Sequence, residues 1–325
     1  FDAVSEFPLS AWIGGFNNAM LNNMGTVRDG TTVAETAFAL SQIGFVYLAM
    51  ALLSGMLAHR ARLGWLLGFA GLWLLLVLAP VTRWLWGGGW LFEMGALDVA
   101  GGLTIFYATA ISALVALMLI GKPAGTVDEP AHGPTRLAGA ALLTIGMATL
   151  GSGATLGAGD GAAVAMLGTI MAAMVGALTM AALRRAITAD ALAAGLLAGT
   201  VAMACAADSL SFGGAMLLGA LAAGAVALST RIATALLPAR IATHDSGASL
   251  VGMATAAKTG ALLFAIFVSD YWFGGGGYAE GLSMGGQLIA QFAAVLTVAA
   301  WAIIGTLIAG LTISLVVRMR DDGAA

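Results

Sequence analysis

The chain has 325 residues, of which 60% are hydrophobic and 9% charged, with a formal net charge of −3 and a mean hydropathy of +0.98. A water-soluble domain carries about a quarter charged residues, so lipid must solvate much of this apolar surface. The small charge imbalance gives no sign of a nucleic-acid partner. The single cysteine, Cys205, rules out an internal disulfide, and His59, His132 and His244 are too scattered for a zinc or haem site.

A bilayer core needs about 20 apolar residues per helix. In chain order the candidate spans are 36–58, 63–82, 99–121, 137–158, 161–183, 191–207, 209–230, 246–269 and 286–317. The fourth, sixth and seventh are rich in Ala and Gly, a composition that suits the inside of a bundle. A β-barrel is excluded because its strands alternate apolar and polar residues, whereas these runs are continuously apolar. The predicted class is an all-α polytopic membrane protein.

The basic residues set the orientation. Arg60, Arg62, Lys122, Arg136, Arg184, Arg185, Arg231, Arg240, Arg318 and Arg320 fall after odd-numbered spans; only Arg28 and Arg83 fall on the other side, and Lys258 lies inside the eighth span. Ten against two is a positive-inside signal that places the carboxyl end in the cytoplasm. The chain opens on Phe1 in a polar stretch without a signal-peptide pattern, which leads us to expect further sequence upstream.

Two blocks carry a resemblance. Residues 34–65 read AETAFALSQIGFVYLAMALLSGMLAHRARLGW and residues 72–102 read LWLLLVLAPVTRWLWGGGWLFEMGALDVAGG. Residues 274–291 read GGGGYAEGLSMGGQLIAQ, and LLTIGMATLGSGA occupies 142–154. These resemble the ammonium transporter (Amt/Rh) family, with its F-Q-x-x-F element, its W-x-L-x-x-x-P helix, W-G-G-G and G-A-L-D-F-A-G-G. The resemblance is specific in the first and last thirds and loose between them.

It implies the ammonium-transporter fold with inverted repeats, in which the nine spans correspond to family helices three to eleven and the first two are not in this sequence. The domain reading is one transmembrane unit over 1–325: 36–121 as the remainder of the first repeat, 137–269 as the second, and 286–317 as a long final helix. The starts of the two equivalent spans echo each other in Asp98-x-x-Gly101 and Asp245-x-Gly247. The resemblance also implies a homotrimer in the lipid bilayer, ammonium or ammonia as the solute, no cofactor, and residence in a bacterial inner (cytoplasmic) membrane.

Carried over residue by residue, Trp86 takes the vestibule tryptophan position, where a ring face attracts a cation, though an interfacial anchor is equally expected of a tryptophan. Asp98 matches a carboxylate that supports the site, and the vestibule serine falls at Ala154. Of two gating phenylalanines, Phe45 retains one and Leu150 replaces the other; Phe45 and Phe106 also fit plain packing. The pore's paired histidines fall at Phe106 and at Ala248, or Ser249 with a one-residue shift. Neither Phe nor Ala can pass a proton as an imidazole does, so the usual proton relay is expected to be absent.

Lys258 sits in the outer half of an apolar helix, where a charge is costly unless satisfied. Three readings stand: a snorkelling stem, an ion pair with Asp98 or Glu35, or a cation standing in the pore. Gln287 and Gln291 share a face of the last span and are expected to bond between helices. Two functions follow: channel-type passage of a small solute through a non-standard pore, or a non-conducting ammonium sensor or structural subunit of a larger membrane complex. No nucleophile–base pair or nucleotide motif suggests an enzyme.

Overall fold

The computed structural model describes residues 12, 19–22, 25–28, 30–121, 133–236, 245–269 and 276–320. His132, His244, Lys122, Arg240, Asp270 and the first part of the glycine run 274–277 lie outside them. Among the described residues eleven α-helices follow in chain order: α1 Glu35–Leu57, α2 Leu63–Trp73, α3 Ala79–Trp86, α4 Trp90–Glu93, α5 Ala108–Ile120, α6 Gly133–Ala154, α7 Asp160–Arg184, α8 Ala189–Ala204, α9 Phe212–Leu236, α10 Asp245–Phe267 and α11 Met284–Ser314. Among the described residues the one β-type pairing is an isolated bridge between Val27 and Ala34.

Among the described residues eight stretches are long and apolar enough to cross a membrane, and α8 is an apolar helix of 16 residues. The nine expected spans therefore all form helices, the sixth shorter than a full crossing. Large apolar side chains such as Leu40, Leu75, Leu142, Leu178, Ile289 and Leu311 are exposed. Water would not tolerate such a surface, whereas hydrocarbon does.

Two π-helical turns interrupt this pattern. Leu74–Leu78 joins α2 to α3, and Gly102–Tyr107 leads into α5. The first has a cause in the sequence. Pro80 lacks an N–H and its ring crowds the carbonyl four residues back, which is that of Leu76. The widened turn frees the Leu76 carbonyl, and Trp301 of α11 donates its Nε1–H to it at 2.8 Å. Proline thus ties the second span to the last.

The two ends of the bundle are each closed by contacts of their own. The Arg62 N–H donates to the Met319 carbonyl at 2.9 Å, and Arg136 meets Asp190 at 3.4 Å. These tie together loops expected in the cytoplasm. At the other end the Gly276 N–H donates to the Ser209 carbonyl at 2.9 Å. Helix contacts inside the bundle are close. A Cβ on Gly260 of α10 would overlap the backbone of Ala202 in α8, and one on Gly176 of α7 would overlap Gly195 of α8. Small residues let such backbones touch. Cys205 is fully buried just past α8, its Sγ–H donating to the Ala257 carbonyl at 3.4 Å.

Candidate functional site

A cavity of about 230 Å³ opens at the end of the bundle opposite the Arg62–Met319 contact. Its walls come from five places. Helix α1 presents Phe38, Gln42 and Phe45, spaced four and three residues apart so that they share one face. The end of α3 supplies Trp86, the loop after α4 supplies Leu97 and Asp98, the end of α6 supplies Ala154, and a short hairpin before α1 supplies Arg28. Trp86, Asp98, Ala154 and Phe45, singled out from sequence, thus line one space. Arg28, Phe38 and Gln42 were missed, although the spacing of the α1 residues could have exposed two of them.

The indole of Trp86 is held in place. Its Nε1–H donates to the Asp98 carbonyl, and its ring lies 5.1 Å from that of Phe45 at an interplanar angle of 59°. A second space of about 90 Å³ lies behind this pair, lined by Gln42, Phe45, Thr82, Trp86 and Ile105 among others. The Phe45–Trp86 pair therefore forms a wall shared by the two cavities.

Asp98 is 3% exposed and turned inward. Its Oδ1 accepts from the Leu103 N–H at 3.0 Å, and its Oδ2 accepts from the Thr104 N–H and the Thr104 hydroxyl, both at 2.7 Å. The carboxylate caps the π-helical turn, whose first N–H groups have no intrahelical partner. Gly101, at φ +86°, turns the chain into that helix. Asp98 thus builds the floor of this cavity, and its backbone, more than its carboxylate, meets the cavity-lining indole.

The loop bearing it is anchored from α11. Gln291 accepts from the Leu97 N–H at 2.8 Å and donates to the carbonyls of Leu97 at 2.9 Å and Ala261 at 3.1 Å. Gln287 accepts from the Ala279 N–H at 3.0 Å and donates to the Gly95 carbonyl at 2.8 Å. Both glutamines bond chiefly to loop backbone rather than across a helix pair.

Several expected positions fall elsewhere. Phe106 is fully buried and lines neither cavity; Ile105 reaches the inner one instead. Both residues sit in the π-helical turn, in which the Phe106 N–H bonds the Gly101 carbonyl five residues back at 3.1 Å. Ala248 is half-buried and Ser249 exposed, while Leu250 is fully buried in the same core as Phe106. The inward position of that turn is therefore Leu250, not Ser249. Leu150 is half-buried beside Gly44, whose added Cβ would come within 3.2 Å of its Cδ2, one residue from Phe45.

Lys258 is exposed on the surface of α10. This removes the ion pair with Asp98 or Glu35 and the cation in the pore. Asp98 is enclosed by its own loop, and Glu35 meets Arg28 at 3.3 Å. Among the described residues, no three His, Cys, Asp or Glu side chains converge as a metal site requires.

Comparison with known proteins bears on this site. The family profile described as Ammonium Transporter Family matches residues 5–323. The Archaeoglobus fulgidus protein described as ammonium transporter Amt1 is 38% identical over 170 residues, 51% of this chain and 42% of that protein. A Mycobacterium bovis ammonium transporter is 31% identical over 322 residues, 90% of this chain and 65% of that protein. The chain spans less than two thirds of the length of these curated relatives. The crystal structure of Candida albicans Mep2 superposes with a TM-score of 0.84 at 25% identity, covering 96% of this chain and 72% of the other. A structure described as Sensor Amt Protein gives 0.75 at 22% identity over 90% of this chain and 74% of its own, which shows a shared fold alone.

Proposed function

The chain belongs to the ammonium transporter family, and on that footing we propose that it takes up ammonium at the Trp86 cavity and passes a small solute inward without the usual proton relay. The observation that carries this is the placing of Trp86 and Phe45 on one cavity that opens at a single end of the bundle. Aromatic faces attract a small cation by their quadrupole, more strongly where water is thinned out. Ala154 contributes a methyl group where a hydroxyl acceptor would hold the cation more tightly. Past the vestibule the inner cavity meets Ile105, and Phe106 and Leu250 are fully buried in the core. Such side chains cannot bind or relay a proton, so what moves beyond them crosses as a neutral molecule.

The vestibule end faces outward and the carboxyl end faces the cytoplasm in this reading, on the strength of the basic residues gathered around Arg62 and Met319. Assembly as a homotrimer or within a larger membrane complex belongs to the same proposal. A non-conducting sensor or structural subunit is the second reading, favoured by the complete burial of Phe106.

Proteoliposomes separate the two. Under an inward methylammonium gradient, uptake above protein-free vesicles is expected, with no steady current and with loss of roughly 10-fold in rate for Trp86→Ala, the equivalent of about one strong cation–π contact. Uptake equal to that of empty vesicles would leave the sensor or subunit reading standing and refute the transport reading.

A further inference from the structure

The vestibule already holds a cation of its own. The Arg28 guanidinium carbon lies 3.7 Å from the centre of the Phe38 ring, with Nη1 3.3 Å from Glu35 Oε1. Phe38 and Arg28 both line the cavity that Trp86 and Phe45 line. The backbone makes this placement firm. The Arg28 N–H donates to the Val33 carbonyl at 2.9 Å, the Arg28 carbonyl accepts from the Thr31 N–H at 3.0 Å and the Thr31 hydroxyl at 2.9 Å, and the Glu35 N–H donates to the Thr26 carbonyl at 3.0 Å. Gly30, at φ +75°, makes the turn. The hairpin thus carries a planar, permanently charged group back over the first aromatic face of α1.

We propose that Phe38 is an outer cation-binding face of the vestibule and that Arg28 occupies it as a tethered competitor, making Arg28 a determinant of how tightly a free small organic cation is held. The inference rests on the cation-vestibule reading above and adds to it a residue that weakens uptake of its own substrate class. Two effects act together. Arg28 covers the ring that a free cation would use, and its charge raises the electrostatic cost of a second cation in the same space. Glu35 keeps the guanidinium from swinging out. A partly exposed ion pair and a partly exposed cation–π contact each bias a conformation by roughly 2- to 5-fold. Together they leave about a tenth of molecules with Phe38 uncovered, and apparent affinity falls by that fraction.

The test is equilibrium binding of radiolabelled methylammonium to the purified chain in nanodiscs, with thermal melts to confirm folding. R28Q is expected to bind about 10-fold more tightly than wild type, and R28K, which keeps the charge and loses the planar stack, to fall between. The F38L change introduced into R28Q is expected to cancel the gain, and methylguanidinium is expected to displace methylammonium from R28Q at lower concentration than from wild type. Unchanged affinity in both R28Q and R28K, or a gain that survives loss of the Phe38 ring, overturns the proposal. If that happens while wild-type uptake into liposomes persists, the transport reading survives alone. If methylammonium binds to none of the variants, both readings fall.

Discussion

Replacing Asp98 should loosen the vestibule floor before it affects anything else. Its carboxylate accepts three hydrogen bonds, from the Leu103 N–H, the Thr104 N–H and the Thr104 hydroxyl, in a place that is 3% exposed. Each buried donor left without an acceptor costs on the order of 1–3 kcal/mol. Asp98→Ala strands all three, so a loss of at least about 3 kcal/mol is expected. Asp98→Asn keeps one acceptor oxygen and turns an amide N–H towards a donor, which suggests about 2 kcal/mol. Thr104→Val removes the hydroxyl donor and the bond together, and should cost about 1 kcal/mol.

At roughly 2–4 °C per kcal/mol for a chain of moderate size, the melting temperature in detergent should fall by about 10 °C for Asp98→Ala and by about 5 °C for Asp98→Asn. The fraction of protein remaining monodisperse after heating provides the measurement. The double variant with Thr104→Val should lose less than the sum of its parts, because the two side chains share a bond. A melting temperature for Asp98→Ala within about 1 °C of wild type, or strict additivity with Thr104→Val, would refute the capping argument.

Two further outcomes follow from the same structure. Gln291→Leu strands the N–H and carbonyl of Leu97 and the carbonyl of Ala261, whereas Gln287→Leu strands only the Ala279 N–H and the Gly95 carbonyl. Both should lower the melting temperature, Gln291→Leu by the larger amount, at about 1–3 kcal/mol per stranded group at most; the reverse order would contradict the anchoring role. Gly260→Ala drives a methyl group into the Ala202 backbone and should cost on the order of 1–3 kcal/mol. Gly146→Ala on α6 meets open space and should leave the melt unchanged, so equal effects of the two would count against the close contact of α8 and α10.

The spans were legible because lipid selects for unbroken apolar runs, and their ends lie where charges resume. Even so, the third span starts at Gly102 rather than residue 99, since Asp98 and Gly101 are spent on its cap. The face of a helix was harder to read. Lys258 lies on the exposed side of α10, which leaves the snorkelling reading, and a uniformly apolar helix gives no periodicity from which to tell that side. Phe106 was placed on the passage by its position in the family motifs, and such a correspondence does not say that its side chain is fully buried and that Ile105 lines the inner cavity. Pro80 could have announced the other π-helical turn, but nothing in the local sequence marks the one at Gly102. Arg28 and Glu35 stand seven residues apart, a spacing on which only the intervening turn confers meaning. Gln287 and Gln291 were read as bonding helix to helix, because a sequence does not say that loop backbone passes beside them.

The lone thiol has a practical consequence. Cys205 is 0% exposed and packed so tightly that a Cβ on Gly102 would overlap its sulfur. A maleimide therefore finds nothing to react with in the native fold, and the wild-type chain is already a silent background for labelling. Any cysteine placed by design on one rim or the other reports which compartment that rim meets, with no need to disturb the bundle by first removing the natural one.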